Sequence, residues 1–262
     1  MIAFRWASMS RIRKRYFVRL IGRILILFAC AALCILDPHQ FDVLTGWRFF
    51  DGFSLLHILW IIWMIDMLEQ LIPINKQLPL GSQKLFKERF RPILEKVSAD
   101  ALKQYIKATT KAAFWVLIIW IALIAAIGVL YHNGILDRTA VFMISVVFYV
   151  CDLICVLIWC PFRLLMRNKC CTTCRIFNWD HLMMFTPLLF VPSFYTWSLL
   201  GVSVVVWSVW EACVFLFPER FWEHTNAALK CSECTDKLCT QYCRKLQPPR
   251  AQNDSKRAID SK

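Results

Sequence analysis

Seven of the thirteen cysteines fall in two short hydrophilic stretches, NKCCTTCRIFNWDH at 168–181 and KCSECTDKLCTQYC at 230–243. Cys171 with Cys174, and Cys231 with Cys234, are C-x2-C pairs, a spacing that grips one metal ion from two sides of a turn. Two such pairs complete the tetrahedron of thiolates that structural zinc takes, so zinc is the expected cofactor. Cys170, Cys239 and Cys243 add thiols, and His181 adds an imidazole with Asp180 beside it as an acceptor that could orient the ring. An N-terminal helix cap is the plainer role for Asp180. An iron-sulfur cluster or dithiol redox chemistry is the alternative use of these thiols, although the C-x2-C-x4-C-x3-C order from 231 to 243 follows neither ferredoxin pattern. Inert or acylated thiols are the reading without a metal.

A second chemistry comes from charges set inside apolar runs: Arg23, Asp66, Glu69, Asp152 and Glu211. An ionisable group near mid-membrane costs about 2.5–3.5 kcal/mol on insertion scales and needs a partner or a use. Counted inward from the basic boundaries, Asp66, Asp152 and Glu211 all lie about 9–12 Å deep, with Arg23 near the same layer and Glu69 one turn from Asp66. Such a layer could coordinate a cation, relay protons or bind a cationic substrate. The structural alternative pairs Arg23 with one carboxylate and leaves the others protonated or reaching for water.

The elements that position these groups are apolar segments. With 58% hydrophobic residues, twelve Trp and twenty Phe in 262 residues, the chain exceeds what a soluble core can hide. The fold class expected is an all-α polytopic membrane protein of about six transmembrane helices. Spans are read at 20–36, 53–72, 113–131 and 140–159, and the run 182–217 is long enough for a tight hairpin of two, turning at 198–201. The remaining segments are a basic N-terminus (1–19), a basic loop (75–112), a cysteine-containing loop (161–181), a cysteine-rich segment (218–246) and a disordered tail (247–262). The transmembrane pairs accordingly occupy 20–74 and 113–160. The other six cysteines, Cys30, Cys34, Cys151, Cys155, Cys160 and Cys213, lie in or at the ends of spans and are assigned to packing.

Charge sets the direction. Thirty-one Lys and Arg against eighteen Asp and Glu concentrate in alternate segments, while the loops after spans one and three hold only Arg48 and Arg138. The positive-inside rule then puts both termini and all seven clustered thiols in the cytoplasm, where disulfides are rare. Anionic inner-leaflet lipids are the expected partners of the basic segments, with no nucleic acid implied. The plasma (cytoplasmic) membrane is the expected location.

In the basic loop, Leu85, Phe86, Phe90, Ile93, Leu94, Val97, Ala101, Leu102, Tyr105 and Ile106 recur at helical spacing. They predict an amphipathic helix on the inner leaflet, interrupted at Pro92, or a stalk running into span three. The first span also resembles a secretory signal, but Phe28 and the lack of a small-x-small site before Asp37 argue that it is retained. No serine nucleophile elbow or His-Glu-x-x-His helix supports hydrolysis. The function expected is binding or cation transport around an acidic cluster, above a cytoplasmic zinc site. A membrane redox protein, or an assembly or signalling subunit, is the alternative.

Overall fold

The computed structural model describes residues 10–72, 80–93, 97–168, 170–234, 236 and 238. Cys239, Cys243, the tail from 247 and parts of the basic loop, Leu94 included, lie outside them. The described residues form eight α-helices and no strands, with two isolated bridges. The helices are α1 (Arg11–Leu36), α2 (Leu55–Leu71), α3 (Leu80–Gln83), α4 (Ala99–His132), α5 (Arg138–Leu157), α6 (Phe162–Met166), α7 (Asp180–Phe185) and α8 (Phe194–Leu216).

Local chemistry sets the helix starts. The Ser10 hydroxyl accepts from Arg13 N at 3.1 Å and opens α1. Ser54 caps α2, and His57 reciprocates: its Nδ1 accepts from Ser54 N at 2.9 Å, which leaves Nε2 to donate to Phe49 O at 2.9 Å. Both ring nitrogens of His57 are thus used in hydrogen bonds. Asp137 caps α5, and Ser193 with Thr196 forms a capping box on α8.

Helices α1, α4, α5 and α8 are long and apolar enough to cross a membrane. They are compatible with an integral membrane protein, and so are the large apolar side chains they leave exposed, such as Leu25, Phe28, Ile121 and Phe215. Helix α2 is shorter, with 17 residues. The expected hairpin differs from its sequence reading: 198–201 lies inside α8, and the chain turns at 191–193. The first arm is α7 followed by a 3-10 stretch, Thr186–Phe190. Pro187 sits in the first turn of that stretch, where its missing N–H is tolerated, and the cap at Ser193 is a stronger start signal than Gly201 is a stop.

The connections sort to two ends. At one end Gly46 N donates to Pro192 O at 3.3 Å, and Arg138 pairs with Asp42 at 3.1 Å, joining three loops. At the other, basic, end Ser10 donates to Asp236 O, Arg220 donates to Leu85 O and Lys84 donates to Cys174 O. Between them lies a core in which the fully buried Trp63 meets the rings of Phe142, Tyr149 and Phe185 at 5.7, 5.7 and 5.1 Å. Gly128 on α4 permits a close approach, because a Cβ there would lie 2.4 Å from the Phe190 ring.

The basic loop does not form one amphipathic helix. Helix α4 has 34 residues and rises about 51 Å, far more than a bilayer core requires, so its first turns run on as a stalk. Tyr105 on that stalk stacks on Trp222 at 4.9 Å. Upstream, the segment around Pro92 is extended and pairs with the chain after α8: Ala227 N donates to Arg91 O at 2.8 Å and Ile93 N donates to Thr225 O at 3.2 Å. Those long-range backbone bonds override the helical spacing of Phe86, Phe90 and Ile93.

Candidate functional site

Four elements bring ionisable groups together near the basic end. Arg19 and Arg23 lie one turn apart on α1, and Asp66, Glu69 and Gln70 share a face of α2 at i, i+3 and i+4. Helix α5 contributes Asp152, and α7 begins with Asp180 and His181. All of them line one cavity of about 310 Å³.

Arg23 organises the cluster. It is 7% exposed; its Nη1 donates to Asp152 Oδ2 and to Tyr149 O, both at 2.6 Å, and its Nη2 lies 3.8 Å from Asp66 Oδ2. The guanidinium also sits 3.9 Å from the centre of the Tyr149 ring, whose hydroxyl donates to Asp66 Oδ2 at 3.1 Å. Arg19 pairs with Glu69 at 3.4 Å. Gln70 Nε2 donates to Asp180 Oδ2 at 3.2 Å and lies 3.0 Å from His181 Nδ1, which is 3.2 Å from Asp180 Oδ1. His181 is 4% exposed, and among the described residues neither its Nε2 nor Gln70 Oε1 has a hydrogen-bond partner.

The sequence-derived cluster therefore assembles in part. Arg23, Asp66, Glu69 and Asp152 meet, and Arg23 pairs with carboxylates as the structural alternative requires. Glu211 does not join them. Its carboxylate binds the Arg175 guanidinium in a two-pronged pair, one arm at 2.7 Å, and accepts from Trp179 Nε1 at 2.7 Å. Arg175, from the segment before α7, is 8% exposed and reaches α8, so Glu211 belongs to a separate knot. The residues missed by sequence reading are Arg19, Gln70 and Tyr149. Helical spacing was their available signal: Arg19 is i−4 from Arg23, Gln70 is i+4 from Asp66, and Tyr149 is i−3 from Asp152.

The thiols are arranged differently from the expected zinc set. Cys171 and Cys174 line the same cavity, together with Cys151, Cys155 and Cys160 from the end of α5 and the turn after it. Cys171 Sγ donates to Cys155 O at 3.8 Å. Cys170 is half-buried, Cys231 is exposed and Cys234 is half-buried. Among the described residues no group of three or more His, Cys, Asp or Glu is arranged to hold a metal ion, so Cys171, Cys174, Cys231 and Cys234 do not form the shared tetrahedron. The backbone pairing around Arg91 and Ala227 holds the start of the second thiol segment, while the 3-10 turn Cys171–Thr173 presents the first pair to the cavity. His181 sits with Gln70 and Asp180.

A cap closes this end. On α3 a Cβ at Gly81 would lie 2.6 Å from the Phe177 ring, so only glycine lets the helix sit this close. Ser82 lines the cavity and donates to Asn178 Oδ1 at 2.9 Å. Just beyond, Lys84 is buried; its Nζ donates to Cys174 O at 3.0 Å and lies 5.2, 5.5 and 6.0 Å from the rings of Trp210, Phe221 and Phe177. Burial lowers the Lys84 pKa to about 7, while the ring faces favour its charged form.

Comparison with protein-family models, with curated proteins and with solved structures finds no match for this chain.

Proposed function

We propose that this chain is a membrane protein that binds a small amphipathic cation in the cavity at its basic end, as the recognition step of passage into or across the bilayer. The observation that carries this reading is the balance of groups facing the cavity. Asp66, Glu69, Asp152 and Asp180 stand against Arg19 and Arg23, leaving two negative charges in excess with His181 neutral and one with it protonated. Beside them the buried Gln70 Oε1 is an acceptor with no partner among the described residues. A ligand rich in N–H donors satisfies such a surface, and a buried acceptor left unmatched costs about 1–3 kcal/mol. The rest of the wall includes Trp120, Phe148, Met183 and Met184, which suit an apolar or aromatic body.

The segment carrying Asp180 and His181 supports the same reading. A crossing segment that passes from a six-residue α-helix into a 3-10 stretch is irregular backbone beside a cavity, the setting in which membrane proteins place binding groups. In this reading six segments cross, counting α2 and the broken arm. The basic end faces the cytoplasm, since the basic segments gather there.

The test uses the full chain in nanodiscs and its tryptophan fluorescence, with phenethylammonium as ligand and 3-phenylpropan-1-ol as the neutral comparison. The ammonium is expected to saturate the signal, and Glu69→Gln to weaken it about tenfold, the effect of losing one charge-assisted contact. Equal binding of the alcohol, or no saturable change with either, overturns the proposal.

A further inference from the structure

The excess negative charge of the cavity gathers at two centres. Glu69 is matched by Arg19, whereas Asp66 and Asp152 share Arg23 and so carry one charge more than their partner. Asp180 has no Lys or Arg within ion-pair distance among the described residues. Its ionisable neighbour is His181, whose Nδ1 lies 3.2 Å from Asp180 Oδ1.

Gln70 sets the state of that imidazole. Its Nε2 donates to Asp180 Oδ2 at 3.2 Å, which fixes the amide with its N–H groups on this side, and the same nitrogen stands 3.0 Å from His181 Nδ1. An N–H aimed at Nδ1 requires a lone pair there, so the ring is neutral with its proton on Nε2. The charge of Asp180 is then unmatched. Gln70 is 7% exposed, and neither its Oε1 nor Asp180 Oδ1 has a hydrogen-bond partner among the described residues. An N–H donor is what this centre lacks. Asp66 and Gln70, one at each centre, are one turn apart on α2, about 6 Å along its axis.

We infer that the ligand of the cavity is an organic dication, with one ammonium group on Asp66 and Asp152 and a second on Asp180 and Gln70 Oε1. The inference rests on the cation reading above and adds to it the ligand's charge and length. The two nitrogens are about 6–8 Å apart, one helical turn plus some side-chain reach. A ligand with a single ammonium leaves one carboxylate without a counter-charge in a site shielded from water, and a dication leaves none. The apolar part of the wall, Trp120 and Phe148 included, suits a short spacer between the charges. An inorganic dication fits less well, because among the described residues no group of three or more His, Cys, Asp or Glu is arranged to hold a metal ion.

The test follows tryptophan fluorescence of the full chain in phosphatidylcholine nanodiscs at about pH 7.5, where an ordinary imidazole is mostly neutral. The probe is 1,4-bis(ammoniomethyl)benzene, compared with 4-methylbenzylammonium, which keeps the ring and loses one charge. The diammonium is expected to bind about tenfold or more tightly, the effect of one further charge-assisted contact, and Asp180→Asn to remove most of that advantage. Phenethylammonium and magnesium chloride are run beside them. Equal affinity of the two probes, an undiminished ratio in Asp180→Asn, or displacement of the diammonium by magnesium at equal concentration overturns the inference, while saturation by phenethylammonium still upholds the cation reading. If no ammonium ligand saturates the signal, both fall. The wild-type ratio decides this without any variant having to fold.

Discussion

Arg23 on α1 and Asp152 on α5 meet at 2.6 Å in the interior of the bundle, and the same guanidinium covers the Tyr149 ring one turn from that carboxylate. Helices α1 and α5 are thereby locked in register by a charge pair that neither could bury alone. Removing one partner of a buried pair leaves an uncompensated charge and costs about 3–5 kcal/mol. Arg23→Met should therefore lower the thermal midpoint in detergent sharply, while Arg23→Met combined with Asp152→Leu should recover most of the loss. A double variant as unstable as the single one would show that the pair is not the source.

Glu211 separates stability from binding. Its partners are Arg175 and Trp179, outside the carboxylate cluster, so Glu211→Gln is expected to lower the thermal midpoint and leave phenethylammonium affinity within about twofold. Glu69→Gln should do the reverse, because the Arg19–Glu69 pair is partly exposed and adds about 0–1 kcal/mol. Equal effects of both variants on affinity would return Glu211 to the binding site.

Lys84 makes stability depend on pH with a definite sign. Its folded pKa of about 7 lies below the ordinary value of 10.5, so between those values the unfolded chain binds the extra proton. Stability contributed by this group therefore rises as pH increases from 7 towards 10.5, and is lowest below 7. Equilibrium unfolding at pH 7 and pH 9 should show the wild type gaining more than Lys84→Met, which lacks the titrating group. An identical gain in the two proteins would mean that the Lys84 ammonium keeps its charge at no cost.

The two ends of the bundle should lie on opposite faces of the membrane. Cys231 is exposed at the basic end, and Asn133 is exposed in the loop between α4 and α5. An impermeant maleimide should label Cys231 only after the cells are opened, and should label an Asn133→Cys variant in intact cells. Labelling of both from outside would reverse the cytoplasmic assignment of the basic end.

Much of the fold was legible because lipid contact is a local property. Long apolar runs marked α1, α2, α4, α5 and α8, since no other structure satisfies the backbone inside a bilayer. The caps at Ser54, Asp137 and Ser193 were not read from the sequence, and Asp180, read as a cap, is instead the first residue of α7, after Trp179. The broken arm 180–190 was hidden, because a 3-10 stretch and an α-helix share the same apolar composition, and only Pro187 and Pro192 hinted at the break. The basic loop misled for the opposite reason: its apolar residues do recur at helical spacing, but Arg91 and Ile93 found backbone partners after α8 that spacing cannot announce.

The charges inside apolar runs were fixed by the sequence, as was the crowding of the cysteines. Both are facts of composition along a line, and burial cost alone made Arg23, Asp66, Glu69 and Asp152 candidates for one site. Which groups meet was decided only in three dimensions. Arg175 takes Glu211 away from the cluster, and Gln70 draws in Asp180 and His181. The 3-10 turn Cys171–Thr173 and the residue after it bring Cys171 and Cys174 to the cavity, while Cys231 stays exposed. Partnering depends on where helix faces point and how loops return, and a desolvated charge or thiol settles with the nearest group that satisfies it, however far away that group lies in the chain.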